Sequence, residues 1–391
     1  MVVAVAMATV VAACSGGPSR PAGAPVGGAA AKAVATPPPR VFTIAASGDF
    51  LGHGPVVARA AATGRASGQA YDFGPMLTAI KPIVSDADLG ICHLETPLSA
   101  DNRNLSSYPV FNVPRELAAG IAASGFDGCS VASNHAFDKG AAGVSATLDV
   151  LDAAGLGHAG TARTPAEAAT PNRREIEGVH VAHLSYSYGL NGFRLPSDQP
   201  WLVNLIDPPE RILADARGAR EAGARFVVVS LHWGNEYQVA PTDEQRAIAR
   251  QLLESPEVDL VLGHHAHVVQ PVEKIGEKYV VYGMGNFLSN QSPRCCPANS
   301  QDGVIVLVTV EAGAAAGGGA ARVTRVSYQP TWVQPGSYKV LPVARALGDP
   351  ATPPAERAEL TRSWQRTVDA ISSLGADGAG VQPAEVPPAR P

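Results

Sequence analysis

The chain has 391 residues, of which 46% are hydrophobic and 17% charged, enough to bury one large core or two smaller ones. Its formal net charge is only -5, and acidic and basic side chains are interspersed. This balance argues against nucleic acid or an anionic membrane face as the main partner.

The N-terminus predicts an exported protein that is attached to lipid. The first fourteen residues, MVVAVAMATVVAAC, form an apolar run shorter than the ~20 residues that a bilayer span needs. We interpret residues 1–14 as a lipoprotein signal peptide, because Val11 to Cys14 resembles a bacterial lipobox with Cys14 as the lipidated residue, although no Lys or Arg precedes the run. A buried N-terminal strand is the alternative. The first interpretation predicts an extracytoplasmic, membrane-anchored bacterial lipoprotein.

Two segments flank the predicted domain at residues 41–345. Residues 15–40 are almost entirely Gly, Ala and Pro, a composition that predicts a disordered linker. Residues 346–391 form a Pro- and Ala-rich tail around one predicted helix, AERAELTRSWQRTVDAISSL. We assign no chemistry to either flank.

Four cysteines follow Cys14, at positions 92, 129, 295 and 296. Cys295 and Cys296 are adjacent and can hardly bond to each other without strain, so each would need a more distant partner. Cys92 and Cys129 lie in apolar, strand-like runs, where a disulfide and a pair of inert buried thiols both remain open. The absence of a C-x-x-C spacing argues against a cysteine zinc site.

The predicted domain alternates short apolar runs with alanine-rich helical stretches. Strands are predicted at residues 41–49, 87–95, 126–135, 180–187, 225–233, 258–265 and 278–286. Helices are predicted at residues 114–125, 143–155, 209–223 and 243–255. This alternation indicates an α/β fold with largely parallel strands. Residues 302–343 predict a hairpin-rich end, with AGAAAGGGAA as a flexible hairpin tip.

Polar residues gather where the predicted strands end. The residues at these ends are Asp49, Glu95, Asn134, His135, His232, His265, His267 and Asn286. Ligands of open α/β sheets bind at the carboxyl ends of the strands. Because buried charge is costly unless it is paired or bound to metal, so many polar strand ends predict a metal site.

The order of these residues resembles the calcineurin-like metallophosphoesterase superfamily. The segments SGDFLGHG, HLETPLS, SNHAFDKG, LHWGNEY, GHHAHVVQ and YGMGNFLSNQ resemble, more closely, its CapA-type branch, which is associated with poly-γ-glutamate capsule synthesis. The resemblance covers roughly residues 42–340. It implies an α/β fold built as a four-layer α/β/β/α sandwich, with helices outside two mixed β-sheets.

The resemblance also implies a set of site residues. It assigns ligands for one or two divalent ions, with Asp49 and His267 at the first ion, Glu95 between both, and Asn134, His232 and His265 at the second. His135 would be the general acid or a substrate-orienting histidine. Two cations about 3.5–4 Å apart need such a bridging carboxylate and lower the pKa of a bound water. The mixed donors suit Mn, Fe or Zn better than Mg.

Three positions depart from the pattern of the family. The superfamily usually has Asp-x-His in its first motif, but position 51 is leucine. His53 is a candidate replacement, and a loop histidine or a substrate contact is equally compatible. The family commonly has Asn where this chain has His93 and Ser133. His93 adds an imidazole near Glu95 that can tune or compete with the metal site.

Several neighbours complete the predicted site. Asp138 is placed either to orient His135, as an outer carboxylate does, or to cap the following helix. Glu236 and Tyr237 are predicted to line the pocket. Asn286 either contacts substrate or braces a turn. The alternation in GHHAH predicts that His264 faces away from the site and is structural.

Two classes of function follow, and a third is kept open by the fold. The first is a metal-dependent hydrolase of a phosphoester, amide or γ-glutamyl bond that acts in capsule polymer synthesis or processing. The second is a non-catalytic, membrane-anchored accessory subunit for polymer binding or export. The third is a general metallophosphoesterase, although fold is weak evidence for substrate. The expected partners are an anionic polymer or phosphorylated substrate and a membrane polymer-synthesis complex, and not nucleic acid.

Overall fold

A computed structural model of the chain describes residues 8–17, 39–313 and 321–387. The chain divides into two units, Met1–Pro37 and Pro38–Pro391. In the first unit, residues 8–17 have no regular secondary structure and Cys14 is exposed. The start of the predicted signal peptide, most of the predicted linker and the Gly/Ala hairpin tip lie outside the described residues. Within the described ranges, no helix has the length and apolar character that a membrane crossing requires.

The second unit contains fifteen strands and ten α-helices in the described part of the chain. The strands are β1 (Arg40–Phe50), β2 (Leu89–Leu94), β3 (Gly128–Ser130), β4 (Gly157–Ala159), β5 (Asn172–Ile176), β6 (Val179–Ser187), β7 (Phe226–His232), β8 (Leu260–His264), β9 (Val272–Ile275), β10 (Lys278–Val281), β11 (Asn286–Leu288), β12 (Asp302–Ala312), β13 (Arg322–Val333), β14 (Val340–Pro342) and β15 (Gln382–Pro383). The helices are α1 (Gly54–Ser67), α2 (Gly74–Leu77), α3 (Lys81–Val84), α4 (Glu116–Ala123), α5 (Gly140–Ala153), α6 (Pro165–Ala168), α7 (Glu210–Glu221), α8 (Asp243–Glu254), α9 (Val343–Gly348) and α10 (Pro354–Ser372).

The strands form two mixed sheets. In the first sheet the order is β14-β13-β12-β1-β2-β3-β4, with β11 beside β1 and β15 beside β13. In the second sheet the order is β5-β6-β7-β8-β10-β9. Strands β1 to β4 are mutually parallel, as are β6, β7, β8 and β10, whereas β12 and β5 pair antiparallel to their neighbours. The predicted α/β fold with two mixed sheets is confirmed.

The helices cover the outer faces of the sheets, and strand β7 shows why. Its residues alternate in direction, because successive side chains of a strand point to opposite faces. Phe226 and Val228 pack between the two sheets, whereas Val227 and Val229 pack in a separate cluster with Ile212 of α7 and Leu252 of α8. A third cluster packs α4 and α5 on the other side of the first sheet. Three apolar layers therefore separate four structural layers, as the resemblance implied.

The predicted strand at residues 278–286 is two strands in the structure. β10 ends at Val281 in the second sheet, and β11 begins at Asn286 in the first sheet. Gly285 has a φ of 68° between them, and its carbonyl accepts from the Asp49 N–H at 2.9 Å. A Cβ at Gly48 would lie 2.0 Å from this carbonyl oxygen, so glycine is required there. The turn brings Asn286 beside Asp49.

The C-terminal helix is part of the same folded unit as the sheets. The predicted helix corresponds to α10, and Leu360 of α10 packs with Trp332 and Val343. Arg366 donates to both oxygens of the buried Asp302 carboxylate at 2.7 and 2.9 Å. Strand β15, further along the tail, pairs with β13. The described part of the tail therefore adds to the fold rather than hanging free of it.

Cys92 and Cys129 form a disulfide, which decides between the two alternatives left open by the sequence. They are register partners on the adjacent parallel strands β2 and β3. Cys14, Cys295 and Cys296 are free thiols.

Candidate metal centre

The site begins with one row of residues across each sheet. In the first sheet, Asp49 of β1 is the register partner of Asn286 on β11 and of His93 on β2. In the second sheet, His232 of β7 is the register partner of His264 on β8. Strands β1, β2, β7 and β8 end at or one residue after these positions, because parallel strands bring their carboxyl ends to the same edge. Strand β11 instead begins here, at Asn286. The two rows meet between the sheets.

Asp49 lies at the centre of the first group of donors. Its Oδ1 accepts from His264 Nδ1 at 2.9 Å, and its Oδ2 accepts from the backbone N–H of His265 at 3.1 Å. His267 Nδ1 lies 3.6 Å from Oδ2. Asp49, Glu95 and His267 each offer an atom within 4.8 Å of the others. A second set within the same distance comprises Asp49, His93 and His264.

Glu95 gives the strongest indication of a bound cation at the site. Its side chain is buried, yet neither carboxylate oxygen has a hydrogen-bond partner among the described residues. Glu95 Oε1 lies 3.8 Å from His267 Nε2. A buried carboxylate without hydrogen bonds is costly, and a divalent ion removes that cost by direct coordination. The donor set therefore fits a divalent metal ion.

Asn134, His232 and His265 lie together beside this group. Asn134 Oδ1 is 3.1 Å from His232 Nε2, and the rings of His232 and His265 have centroids 4.7 Å apart. His265 Nδ1 is buried without a hydrogen-bond partner in the described structure. The sequence-predicted ligands are thus brought together, and their assignment to individual ions stays a prediction.

The backbone after β8 is unusual. His265 has a φ of 87° and His267 a φ of 55°, values that non-glycine residues rarely adopt. Such conformations cost ~1–3 kcal/mol each and occur mainly at functional sites. They turn the chain so that Asp49 can accept from the His265 N–H while the His267 ring reaches Glu95.

Burial is the largest influence on the pKa values of His93, His232 and His265. It lowers the pKa of His93 and His232 well below the ordinary value and that of His265 to about 3, because imidazolium loses hydration. For Asp49, burial acts to raise the pKa, but hydrogen bonds from His264 and His267 outweigh it and hold the pKa well below its usual range. Neutral imidazole and ionised carboxylate are the forms that bind metals.

Glu95 and His267 show the opposite behaviour. Burial raises the pKa of Glu95 well above its ordinary value, and the nearby Asp49 adds to this effect while His267 opposes it. Burial acts to lower the pKa of His267, but Glu95 and Asp49 outweigh it and bring the pKa to about 9. The carboxyl groups therefore stabilise positive charge at this position, which is the electrostatic condition for binding a cation.

A histidine–carboxylate pair adjoins the donors. His135 Nδ1 lies 2.8 Å from Asp138 Oδ2, and the same oxygen accepts from the Phe111 N–H at 2.7 Å. Helix α5 has Lys139 at its N-cap position without a side-chain capping bond. Of the two predicted roles of Asp138, the structure thus shows the orienting contact and not the cap. Asn191 Nδ2 lies 3.3 Å from His135 Nε2.

The expectation that His264 faces away from the site is wrong. Its Nδ1 donates to Asp49, and its ring stacks on His93 with centroids 3.9 Å apart. The alternation of side chains does not continue past His264, because β8 ends there and the chain then takes left-handed conformations. His93 does not lie free beside Glu95, since its two ring nitrogens contact Ser130 and His232.

Other predicted residues take defined places around the cluster. His53 Nδ1 lies 3.4 Å from the Asn290 N–H, its ring packs on Phe111, and burial lowers its pKa to about 3. His53 belongs to neither donor set found in the described residues. The Asn286 side chain is buried and bonds to His267 and to the Ser300 carbonyl, which matches the bracing alternative.

The remaining predicted pocket residues lie at the edge of the site. The Tyr237 ring is 6.0 Å from that of His267, and the exposed Glu236 carboxylate helps to raise the pKa of His267. The sequence reasoning missed Tyr188, whose ring lies 4.6 Å from His265. Tyr188 directly follows strand β6, and this position at a strand end was the signal that could have identified it.

Fold and site together define an α/β sandwich with a candidate metal centre between the ends of its two sheets. A sequence model described as "Bacterial capsule synthesis protein PGA_cap" matches residues 43–291. The chain therefore belongs to this family, and the resemblance seen in its motifs is confirmed.

Curated relatives match part of the chain. The capsule biosynthesis protein CapA of Bacillus anthracis is 26% identical over 218 residues, which cover 54% of this chain and 53% of that protein. The PGA biosynthesis protein CapA of Bacillus subtilis (strain 168) is 32% identical over 162 residues, covering 41% and 42%. A "probable polyglutamine synthesis accessory protein" of Mycobacterium tuberculosis is 27% identical over 231 residues, covering 56% and 60%. The chain spans about half the length of the first two relatives.

Among solved structures, the calcineurin-like phosphoesterase YfkN from Bacillus subtilis aligns with a TM-score of 0.44 and 13% identity. The alignment covers 85% of this chain and 98% of that one.

Proposed function

We propose that the protein is a divalent-metal-dependent hydrolase that acts on an anionic capsule polymer of the poly-γ-glutamate type at the cell surface. The observation that carries the proposal is the buried Glu95 carboxylate, which has no hydrogen bond among the described residues and lies beside Asp49 and His267. The names of the relatives support the polymer class. The predicted lipid anchor at Cys14 supports the location outside the cytoplasm.

Asp49, Glu95 and His267 would hold one ion, and Asn134, His232 and His265 a second. A divalent ion bound there would supply Lewis acidity to the scissile phosphoryl or carbonyl group. Manganese, iron and zinc suit these donors.

His135 would move the proton. The Asp138 carboxylate accepts from His135 Nδ1–H at 2.8 Å, and this contact leaves Nε2 to exchange a proton with the substrate. Asn191, at 3.3 Å from Nε2, would hold the ring in place before substrate arrives. The Phe111 N–H donates to the Asp138 carboxylate, and the Phe111 ring packs edge-to-face against the His135 ring. Both contacts fix the orientation of the His135–Asp138 pair.

The accessory role is the second candidate, and Leu51 favours it. This side chain is buried at the position where the superfamily usually has a metal-binding histidine, so the first ion would have fewer ligands. In this role the cluster would bind polymer carboxylates or a synthesis complex in the membrane without turnover.

The test combines metal analysis of the purified full-length protein with turnover of p-nitrophenyl phosphate and poly-γ-glutamate. We expect bound metal, and we expect His135→Asn to lower kcat about 100-fold or more without loss of metal. His158→Asn is the matched control, because His158 pairs with Asp152 at 3.1 Å outside the site. Polymer binding without turnover would replace the hydrolase proposal by the accessory role, and turnover of the phosphoester alone would indicate a general phosphoesterase. A protein without metal would contradict the site.

A further inference from the structure

A buried chain of hydrogen bonds reaches His232 from the side opposite to Asn134. His232 Nδ1 lies 3.0 Å from His93 Nε2, and His93 Nδ1 lies 2.8 Å from the Ser130 hydroxyl. That hydroxyl donates to the Cys92 backbone carbonyl at 3.3 Å. The three side chains are 0% exposed, so water does not compete for these contacts. None of the predicted roles for the ligands accounts for this chain.

Strand register places the members of the chain. His93 and Ser130 are partners on the parallel strands β2 and β3, so their side chains leave the same face of the first sheet. The His93 ring also stacks on His264 with an interplanar angle of 16°. Stacking and hydrogen bonding together fix the plane in which the His93 nitrogens point.

The Cys92 carbonyl at the end of the hydrogen-bond chain determines which atoms donate and which accept along it. A carbonyl oxygen can only accept, so the Ser130 hydroxyl that donates to Cys92 leaves its oxygen to accept from His93 Nδ1–H. A neutral imidazole carries one N–H. His93 Nε2 then has a lone pair, which accepts from His232 Nδ1–H.

The Nε2 atom of His232 consequently carries a lone pair and no hydrogen. This Nε2 lies 3.1 Å from Asn134 Oδ1, which also carries lone pairs. Two such atoms repel each other at this distance unless a cation lies within reach of both. The hydrogen-bond chain therefore prepares His232 for coordination through Nε2.

We propose that His93 and Ser130 are positioning residues that hold His232 as its Nδ1-protonated tautomer and so offer Nε2 to a divalent ion. This inference rests on the proposed metal site and adds two residues that regulate its affinity. Outer partners of metal-binding histidines typically contribute a factor of about 10–100 in metal affinity.

A second buried serine–histidine pair in the protein provides a matched control. Ser230 Oγ lies 2.9 Å from His183 Nε2, and both side chains are buried between the sheets. Neither has a hydrogen bond to a predicted ligand among the described contacts. Ser230→Ala and Ser130→Ala therefore remove the same group from the same kind of pair, but only one pair continues to a ligand.

The experiment is a zinc titration of the full-length, chelator-stripped protein by calorimetry, followed by nitrogen-15 NMR of its histidine side chains after zinc loading. We expect Ser130→Ala to weaken zinc binding about 10- to 100-fold, whereas Ser230→Ala stays within about 2-fold of the unmodified protein. His93→Phe keeps a ring over His264, removes both nitrogens and should weaken binding at least as much. The NMR spectrum should show His232 protonated at Nδ1.

Equal zinc affinity in the two serine variants would overturn the inference and leave the metal site standing. Protonation of zinc-loaded His232 at Nε2, or zinc bound directly to His93, would also overturn it. An unmodified protein that binds no zinc, manganese or iron would overturn the metal site and this inference together. Should Ser130→Ala fail to fold, the tautomer of His232 in the unmodified protein decides the question alone.

Discussion

Asp49 and His264 join the two sheets at the candidate metal centre, with Asp49 Oδ1 2.9 Å from His264 Nδ1. The other carboxylate oxygen accepts from the His265 N–H at 3.1 Å. Asp49 therefore has a structural role that does not depend on metal, whereas Glu95 has no such bonds among the described residues. This contrast gives the first two predictions.

Asp49→Asn should lower the free energy of unfolding of the metal-free protein by about 1–3 kcal/mol, because the amide NH₂ would meet an N–H donor. Urea denaturation in the presence of a chelator measures the change. Asp302→Asn is the control: it removes the buried negative charge that pairs with Arg366 and should reduce stability without changing metal affinity. An unchanged stability of Asp49→Asn would contradict the structural role.

Glu95→Gln should behave differently. The buried Glu95 carboxyl group makes no hydrogen bond, and the cost of its burial outweighs its attraction to His267, so the variant should be as stable as the unmodified protein or more stable by up to about 1 kcal/mol. Its metal affinity should fall strongly, because the neutral amide is a poorer ligand. Denaturation with chelator and a metal titration give the two values. Lower stability with unchanged affinity would show that Glu95 serves the fold and not a cation.

The stability of the fold should depend on pH through His183. Burial lowers the pKa of His183 to about 3, so its imidazole stays neutral in the folded protein at pH values where the unfolded chain, with a pKa near 6.5, binds a proton. The contribution of His183 to the free energy of unfolding is fully present above pH 6.5 and is lost as the pH falls towards 3. His183→Gln should reduce the slope of stability against pH by up to about 1.4 kcal/mol per pH unit between pH 4 and 6.

Urea denaturation of both proteins with chelator, at several pH values, measures this difference in slope. The comparison cancels the contributions of the other buried histidines, which both proteins share. Parallel stability curves for the two proteins would show that His183 does not carry the expected proton linkage.

Membrane attachment should depend on Cys14. The thiol is exposed, and residues 8–17 around it have no regular structure, so a modifying enzyme can reach it. Cys14→Ala should move the protein from the membrane fraction to the soluble fraction of its host, whereas Cys295→Ala, which alters another exposed free thiol, should not. Fractionation and immunoblotting decide the question, and a Cys14→Ala protein that stays with the membrane would refute the lipid anchor.

Much of the fold could be read from the sequence because apolar runs and helical stretches alternate with a clear period. The central strands and the helices α4, α5, α7 and α8 lie close to their predicted positions. The short strands β4 and β9 were missed, because a few residues carry little periodicity. The run at residues 278–286 was misread, since continuous apolar character does not reveal that the chain passes from one sheet to the other.

The order of residues was enough to predict the α/β alternation and the polar residue types at the strand ends, because both depend on local patterns along the chain. The motifs indicated the family, and the two-sheet fold followed from that resemblance. The contacts between these side chains, in contrast, became visible in the folded protein alone. The stacking of His264 on His93 and the hydrogen-bond chain from Ser130 to His232 link strands from distant parts of the sequence. The Asn286 side chain bonds to two loop or turn segments outside its own strand. Such contacts follow from sheet register and from the left-handed turn at His265, which spacing in the sequence does not encode.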